Sequence, residues 1–92
     1  MAYDIKPLAL FERSFSKIPR ADQKRIAEKL DRLASHPETI GASMKSLPPD
    51  LRGIHKVRIG DWRVFFWVDH RAQELTLYDL DWRDKAYRRL LR

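Results

Sequence analysis

Three cations on a short hairpin and an Arg/Tyr pair near the C-terminus carry most of the chemistry this sequence can offer. Gly60-Asp61 lies between two alternating apolar runs. Gly followed by Asp is a two-residue hairpin signal, because Gly supplies the positive φ that a primed turn needs. Such a loop pairs Ile59 with Trp62, Arg58 with Arg63, Val57 with Val64 and Lys56 with Phe65. Alternation then places Val57, Ile59, Trp62, Val64, Phe66 and Val68 on one face, which reads as a core face. The other face takes Ile54, Lys56, Arg58, Arg63, Phe65 and Trp67. Like charges directly opposite each other destabilise a sheet by up to ~1 kcal/mol, and a bound anion removes that cost. Phe65 and Trp67 beside them are the kind of ring on which unpaired bases stack. The plainer alternative is a solvated Arg pair neutralised by Asp79 or Asp81 on the following strand.

Arg83 and Tyr87 are four apart on an expected C-terminal helix and so share one side of it. They read either as a phosphate-binding Arg with a Tyr that stacks or moves a proton, or as a surface Arg beside a packed Tyr. Other chemistry is thinly represented. There is no Cys, so disulfides, thiolate nucleophiles and Cys-ligated zinc are excluded. His55 alternates toward the core face, His36 precedes Pro37 at a helix stop, and His70 falls in a turn. No HxxxH or HExxH spacing suggests a metal, and with 3 Gly in the chain there is no Gly-rich phosphate loop. No serine sits in a nucleophile-elbow context.

The elements that must position these residues follow from periodicity. Residues 2–6 read as a short strand ended by Pro7. Leu8, Phe11, Phe15 and Ile18 repeat on one helical face, and Pro19 ends that helix. A second helix with an Ile26, Leu30, Leu33 stripe runs to about Ser35, stopped by His36-Pro37. Met44 to Leu47 is a candidate short strand before Pro48-Pro49. Beyond Leu51 the period becomes alternating, with strands expected near 52–59, 62–68 and 74–82 and a closing helix over 83–92. The expected fold is α+β, a single β-α-α-β-β-β-α domain over residues 1–92. Its helical hairpin packs on a mostly antiparallel twisted sheet.

Composition agrees with a small folded domain, 43% hydrophobic and 35% charged, with 3 Trp, 3 Tyr and 4 Phe for core bulk. The net charge of +6 suits an acidic partner such as nucleic acid. The excess is spread evenly between residues 1–49 and 50–92, so a basic patch has to come from folding rather than from a tail. The N-terminus lacks the apolar run of a signal peptide and no stretch reaches membrane-spanning length, so a soluble, cytoplasmic protein with no membrane partner is expected.

Taken together, these segments resemble the RelE/ParE superfamily of toxins from type II toxin–antitoxin systems. The resemblance covers nearly the whole chain. It rests on Phe11…Phe15…Ile18-Pro19, on Gln23…Ile26…Leu30…Leu33…His36-Pro37, and on Lys45…Leu47 before a turn. Its most specific parts are Leu51-Arg52-Gly53-Ile54-His55-Lys56-Val57-Arg58-Ile59-Gly60-Asp61-Trp62-Arg63-Val64 and the closing Trp82-Arg83-Asp84-Lys85-Ala86-Tyr87-Arg88. For RelE-like members the resemblance implies a ribosome-dependent mRNA endoribonuclease that inhibits translation. It carries Lys56, Arg58, Arg63, Arg83 and Tyr87 over as catalytic; Phe65 and Trp67, from their place on the cationic face, are expected to bind RNA together with Arg88. It implies no cofactor and no metal. The implied partners are a cognate antitoxin, in a toxin–antitoxin hetero-oligomer, and mRNA on the ribosome. Many relatives have a His before the C-terminal Arg, where this chain has Trp82, which leaves the proton-transfer roles open. A ParE-like gyrase inhibitor and a non-catalytic RNA-binding relative are the alternative readings, since shared fold does not set the target.

Overall fold

A computed structural model of the chain describes residues 2–82. It runs β1 (Asp4–Pro7), α1 (Ala9–Ser16), α2 (Arg20–Ser35), two short 3-10 turns (Pro37–Thr39 and Pro49–Leu51), then β2 (His55–Ile59), β3 (Trp62–Asp69) and β4 (Glu74–Trp82). The strands form one sheet in the order β1-β4-β3-β2. β1 lies parallel to β4, and the other two pairings are antiparallel. This is the expected α+β arrangement; the closing helix anticipated over 83–92 lies outside the described residues.

Both helices pack on one face of the sheet. Phe11 and Ile18 from the α1 segment and Ile26, Leu30, Leu33 and Ala34 from α2 are buried together with Ile59, Val64, Phe66, Leu75, Leu77 and Leu80. Burying each large aliphatic or aromatic side chain contributes about 1.5–3 kcal/mol. Leu8, expected in the helical stripe, is 41% exposed. It precedes the first helical turn, and its N–H bonds the Leu77 carbonyl at 2.9 Å, so its backbone prolongs the β1–β4 ladder. Gln23 of α2 donates its side-chain amide to the Phe15 carbonyl (2.8 Å), which also accepts from the Ile18 N–H (3.4 Å), so α2 is tied to the end of α1.

The hairpin forms in the expected register, with Arg58 opposite Arg63 and Lys56 opposite Phe65. Gly60 has φ +62° while Asp61 does not share a positive φ, the pattern of a type II′ turn with Gly at its first central position. At the other end of β3, the Asp69 carboxylate accepts from the N–H groups of Arg71 and Ala72 (3.0 and 2.9 Å), which holds the 70–73 turn.

Two features depart from simple alternation. β4 carries a bulge: Phe65 pairs with Asp79 but Phe66 pairs with Leu77, so Tyr78 is the extra residue. The bulge resets the pleat, which is why Leu77 and Leu80 both reach the helix-covered core while Tyr78 points to the opposite side. The second feature lies on that opposite side. The expected 44–47 strand is absent. Instead Leu51 and Ile54 are buried with Phe65, and Met44, Leu47, Trp67 and Tyr78 pack around them. The Met44 N–H bonds the Ile54 carbonyl (2.8 Å), closing this segment on itself. It therefore acts as a cover for part of the sheet rather than as a strand. β2 consequently starts at His55 and not at Arg52, because Pro49–Leu51 winds into a turn and Gly53 takes φ +86°.

Candidate functional site

β2 and β3 bring the candidate cations together through their pairing. Arg58 and Arg63 are direct cross-strand partners, a relation that sets side chains about 5 Å apart at Cβ. Lys56 is two residues along β2, on the same face as Arg58. On its other side Arg63 is opposite Asp81 of β4. Lys56 and Arg58 are exposed, whereas Arg63 is half-buried. Its Nη1 is fully shielded from solvent yet has no hydrogen-bond partner among the described residues. A buried guanidinium donor left unpaired is costly, and such groups in native folds commonly mark a place for a ligand or ion.

Arg58 turns toward the hairpin tip, where its Nε–H donates to the Gly60 carbonyl at 3.3 Å. There it lines a hollow of about 350 Å³ with Asp22, Arg25, Gly60, Asp61, Trp62 and Trp82. Lys56 lines a different, smaller cavity of about 140 Å³, shared with Lys29, Thr39, Gly41, Ala42 and His55. The three cations thus share a sheet face by register, but Lys56 and Arg58 border separate depressions along β2.

Asp79 and Asp81 were the carboxylates available to neutralise the Arg pair. Asp79 is 5% exposed; its Oδ1 accepts from Ser14 Oγ of α1 and from the Leu80 N–H, both at 2.8 Å. It belongs to the junction between β4 and α1. Asp81 accepts from the Trp82 N–H at 2.7 Å.

One of the two aromatic candidates needs correction. Phe65 is 1% exposed and forms the centre of the cluster with Leu51 and Ile54. Its ring therefore has no face open to a base. Trp67 is half-buried, donates its indole N–H to the Arg52 carbonyl (3.2 Å) and meets Tyr78 edge-to-face at 5.2 Å. Both rings anchor the 44–54 cover. The signal was present in β3 itself: Val64-Phe65-Phe66 is an uninterrupted apolar run, which marks a strand covered on both faces. Arg83, Tyr87 and Arg88 lie outside the described residues.

His55 is packed as expected, with its ring stacked on Phe66 at 5.4 Å and 20°. Burial pushes its pKa below the ordinary imidazole value, opposed by the carbonyls of Gly41 and Ala42, which favour the charged form. Its Nδ1 is buried without a hydrogen-bond partner among the described residues. Sequence reasoning missed Trp82 and Arg25 as site residues. Trp82 is 39% exposed and stands edge-to-face on its cross-strand partner Trp62 at 5.2 Å. That pairing follows from the β3–β4 register, but nothing local signals Arg25, which arrives from α2. Among the described residues no cluster of three or more potential metal ligands occurs, and no helix is long and apolar enough to cross a membrane.

No family model matches the sequence, and no curated protein matches it. Solved structures do match. The toxin–antitoxin complex RelBE2 of Mycobacterium tuberculosis superposes with TM-score 0.77 at 19% identity, over 90% of this chain and 100% of that one. The fold is that of the RelE toxins. The RelE–RelB complex of Pyrococcus horikoshii superposes with TM-score 0.71 at 21% identity, over 92% and 99% of the two chains. The isolated Escherichia coli RelE toxin does so at 0.74 and 12% identity, over 96% and 94%. At these identities the likeness to RelE concerns the backbone. The helical hairpin, the four-stranded sheet and its β2–β3 hairpin are therefore the shared frame on which this chain's own cations are carried.

Proposed function

We propose that this chain is the toxin of a toxin–antitoxin pair and that it cleaves mRNA on the ribosome. The observation that carries the reading is Arg63: half-buried, opposite Arg58, with a guanidinium nitrogen that is shielded and unpaired among the described residues. A phosphodiester oxygen supplies the acceptor this donor lacks, and the planar fork of Arg suits it. The structures that share the fold, RelE toxins alone or bound to RelB, support the toxin half of the proposal.

RNA contains its own nucleophile. The ribose 2′-oxygen attacks the adjacent phosphorus as its proton leaves to a base, and the bond from phosphorus to the 5′-oxygen breaks. The leaving oxygen takes up a proton, giving a cyclic phosphate and a free 5′-hydroxyl. The charge that builds on the phosphorane is what fixed cations stabilise. Arg63, with Arg83, is assigned to that charge; Lys56 or Tyr87 is assigned to the proton on the 2′-hydroxyl. Arg58, leaning to the hairpin tip, is placed better for a flanking phosphate or the leaving group than for the scissile one. The partner that silences the toxin is an antitoxin whose acidic segment covers this basic face.

The test is cleavage of mRNA by the purified chain with ribosomes, mapped at nucleotide resolution. Wild type is expected to cut within the ribosomal A site, and Arg63→Ala to lose about 10²–10³-fold in rate. Intact mRNA with wild-type protein overturns the nuclease reading, and growth arrest with inhibited gyrase supercoiling in its place would establish the ParE-like alternative.

A further inference from the structure

The cavity of about 140 Å³ between α2 and β2 is small and cationic, and no carboxylate lines it. Lys29 and Leu33, one turn apart on α2, form one wall; His55 and Lys56 of β2 form another. Phe66 of β3 adds apolar lining, and residues 39–42 complete the enclosure. The cavity lies on the helix side of β2, where Val57 and Phe66 join the main core. The His55 ring is fixed there by its stack on Phe66. Its Nδ1 is shielded from water and has no hydrogen-bond partner among the described residues. Lys29 is half-buried and makes no ion pair among the described residues. The Thr39 hydroxyl already donates to the His36 carbonyl at 2.7 Å. Lys56 has an interaction of its own and adds its charge at the rim. A shielded ring nitrogen and a half-buried ammonium beside it are both costly to leave unpaired, and together they mark a place for a ligand.

We propose that this cavity binds a single terminal phosphate group, either inorganic phosphate or the phosphate of a monoester, with Lys29 and His55 as its principal ligands. Size sets the first limit. At roughly 30 Å³ for each water, the space equals about four or five waters. That suits a phosphate group and falls below the roughly 300–1,000 Å³ of pockets that enclose a whole small molecule. Proton chemistry sets the second. A terminal phosphate loses its last readily exchanged proton near pH ~6, in the range where imidazole titrates. One proton then lies on either side of the contact between Nδ1 and a phosphate oxygen, and the hydrogen bond is made in both states. Sulfate has no proton to share near neutral pH and needs the ring charged beforehand. A phosphodiester lacks both the proton and the second negative charge. Charge sets the third limit. The titratable groups facing the His55 ring are Lys29 from α2, Lys56 on its own strand and His70 from the turn after β3, and none is acidic. Burial disfavours the imidazolium, while the carbonyls of Gly41 and Ala42 favour it. A dianion tips that balance toward the charged ring. The site does not depend on the RNA reading, since the candidate cleavage face is the opposite side of the sheet.

Calorimetric titration of the full chain at neutral pH in phosphate-free buffer, with inorganic phosphate, ribose 5-phosphate, sulfate and dimethyl phosphate, tests this. Inorganic phosphate is expected to bind about tenfold tighter than sulfate or dimethyl phosphate, the difference that one hydrogen bond to a charged group makes. Saturating phosphate is expected to move the NMR titration of the His55 ring up by about one pH unit, the same tenfold expressed as proton linkage. Lys29→Gln is expected to weaken phosphate about tenfold and Lys29→Arg to restore it, a charge dependence that a packing role would not show. His55→Phe, which keeps the stack on Phe66, is expected to leave phosphate and sulfate equal. Thermal melting confirms that each variant folds. Ribose 5-phosphate that matches inorganic phosphate identifies a monoester as the ligand, and binding of the free ion alone identifies inorganic phosphate. Dimethyl phosphate or sulfate that binds as tightly as phosphate to the wild type overturns the terminal-phosphate assignment. Unchanged affinity in Lys29→Gln, or a His55 titration that phosphate does not move, overturns the site. No readout involves cleavage, so this proposal and the nuclease reading fail separately.

Discussion

On the helix side of the sheet, Val64, Phe66, Leu75, Leu77 and Leu80 close against α1 and α2, and the core there is continuous from β1 to β2. On the other side, apolar cover among the described residues is confined to one patch, where the 44–54 segment sits on Phe65, and Lys56, Arg58 and Arg63 share that face beyond it. The difference teaches how a chain this short holds cations together. A second complete layer would bury them at great cost. A partial layer stiffens β3 from both faces and leaves Arg63 half-buried, where its field is less screened by water than that of a fully exposed Arg.

That comparison can be broken most directly at Phe65. If the ring is core, Phe65→Ala costs about 3–5 kcal/mol in denaturant unfolding. If it were an exposed base platform, stability would hardly move and RNA affinity alone would fall. Arg63 is the mirror case. Arg63→Met removes a guanidinium whose shielded Nη1 has no hydrogen-bond partner among the described residues while keeping its aliphatic bulk, so stability is expected to hold or rise even though cleavage falls by the 10²–10³-fold expected for Arg63→Ala. A variant that is both less stable and fully active would reverse the assignment of the two residues.

Smaller effects test the boundaries of the two regions. Ser14→Ala withdraws one of the donors on the buried Asp79 carboxylate and is expected to cost about 1–3 kcal/mol, measured by urea unfolding at neutral pH. The smallest effect is the titration of His55. Its pKa lies below the ordinary value because burial disfavours the imidazolium. Between that lowered value and about 6.5 the unfolded chain binds a proton that the folded chain does not. Stability is therefore fully present above pH 6.5, declines as pH falls through that window and levels off below the folded pKa. Melting curves at pH 7.5 and 5.5 are expected to show this drop in wild type and a smaller one in His55→Phe, which keeps the stack on Phe66.

Much of the frame was legible because it is local. Gly60-Asp61 set the hairpin register residue by residue, Pro19 and His36-Pro37 bounded α2, and alternation placed β4 over residues 74–82. The candidate site was legible to the same depth: the Arg58–Arg63 pairing and the position of Lys56 follow from the turn alone. What was not legible depended on distant contacts. A lone Tyr78 bulge has no residue signature, and a strand of even alternation would have sent Leu77 and Leu80 to opposite faces. Residues 44–54 have neither helical nor strand periodicity, so their role as a cover is defined by Phe65 and Trp67 rather than by themselves.

By itself, then, the order of residues determined the helical hairpin, the β2–β3 turn and which cations lie opposite one another, because turn chemistry and side-chain period act over a few bonds. Only tertiary structure decided which aromatic rings are buried, that Asp79 is bound to α1, and that Arg25 arrives beside Arg58. Those outcomes depend on which surfaces meet once the sheet twists and the loops close. Solvent exclusion at such meetings is a property of the assembled whole and leaves no periodic trace along the chain.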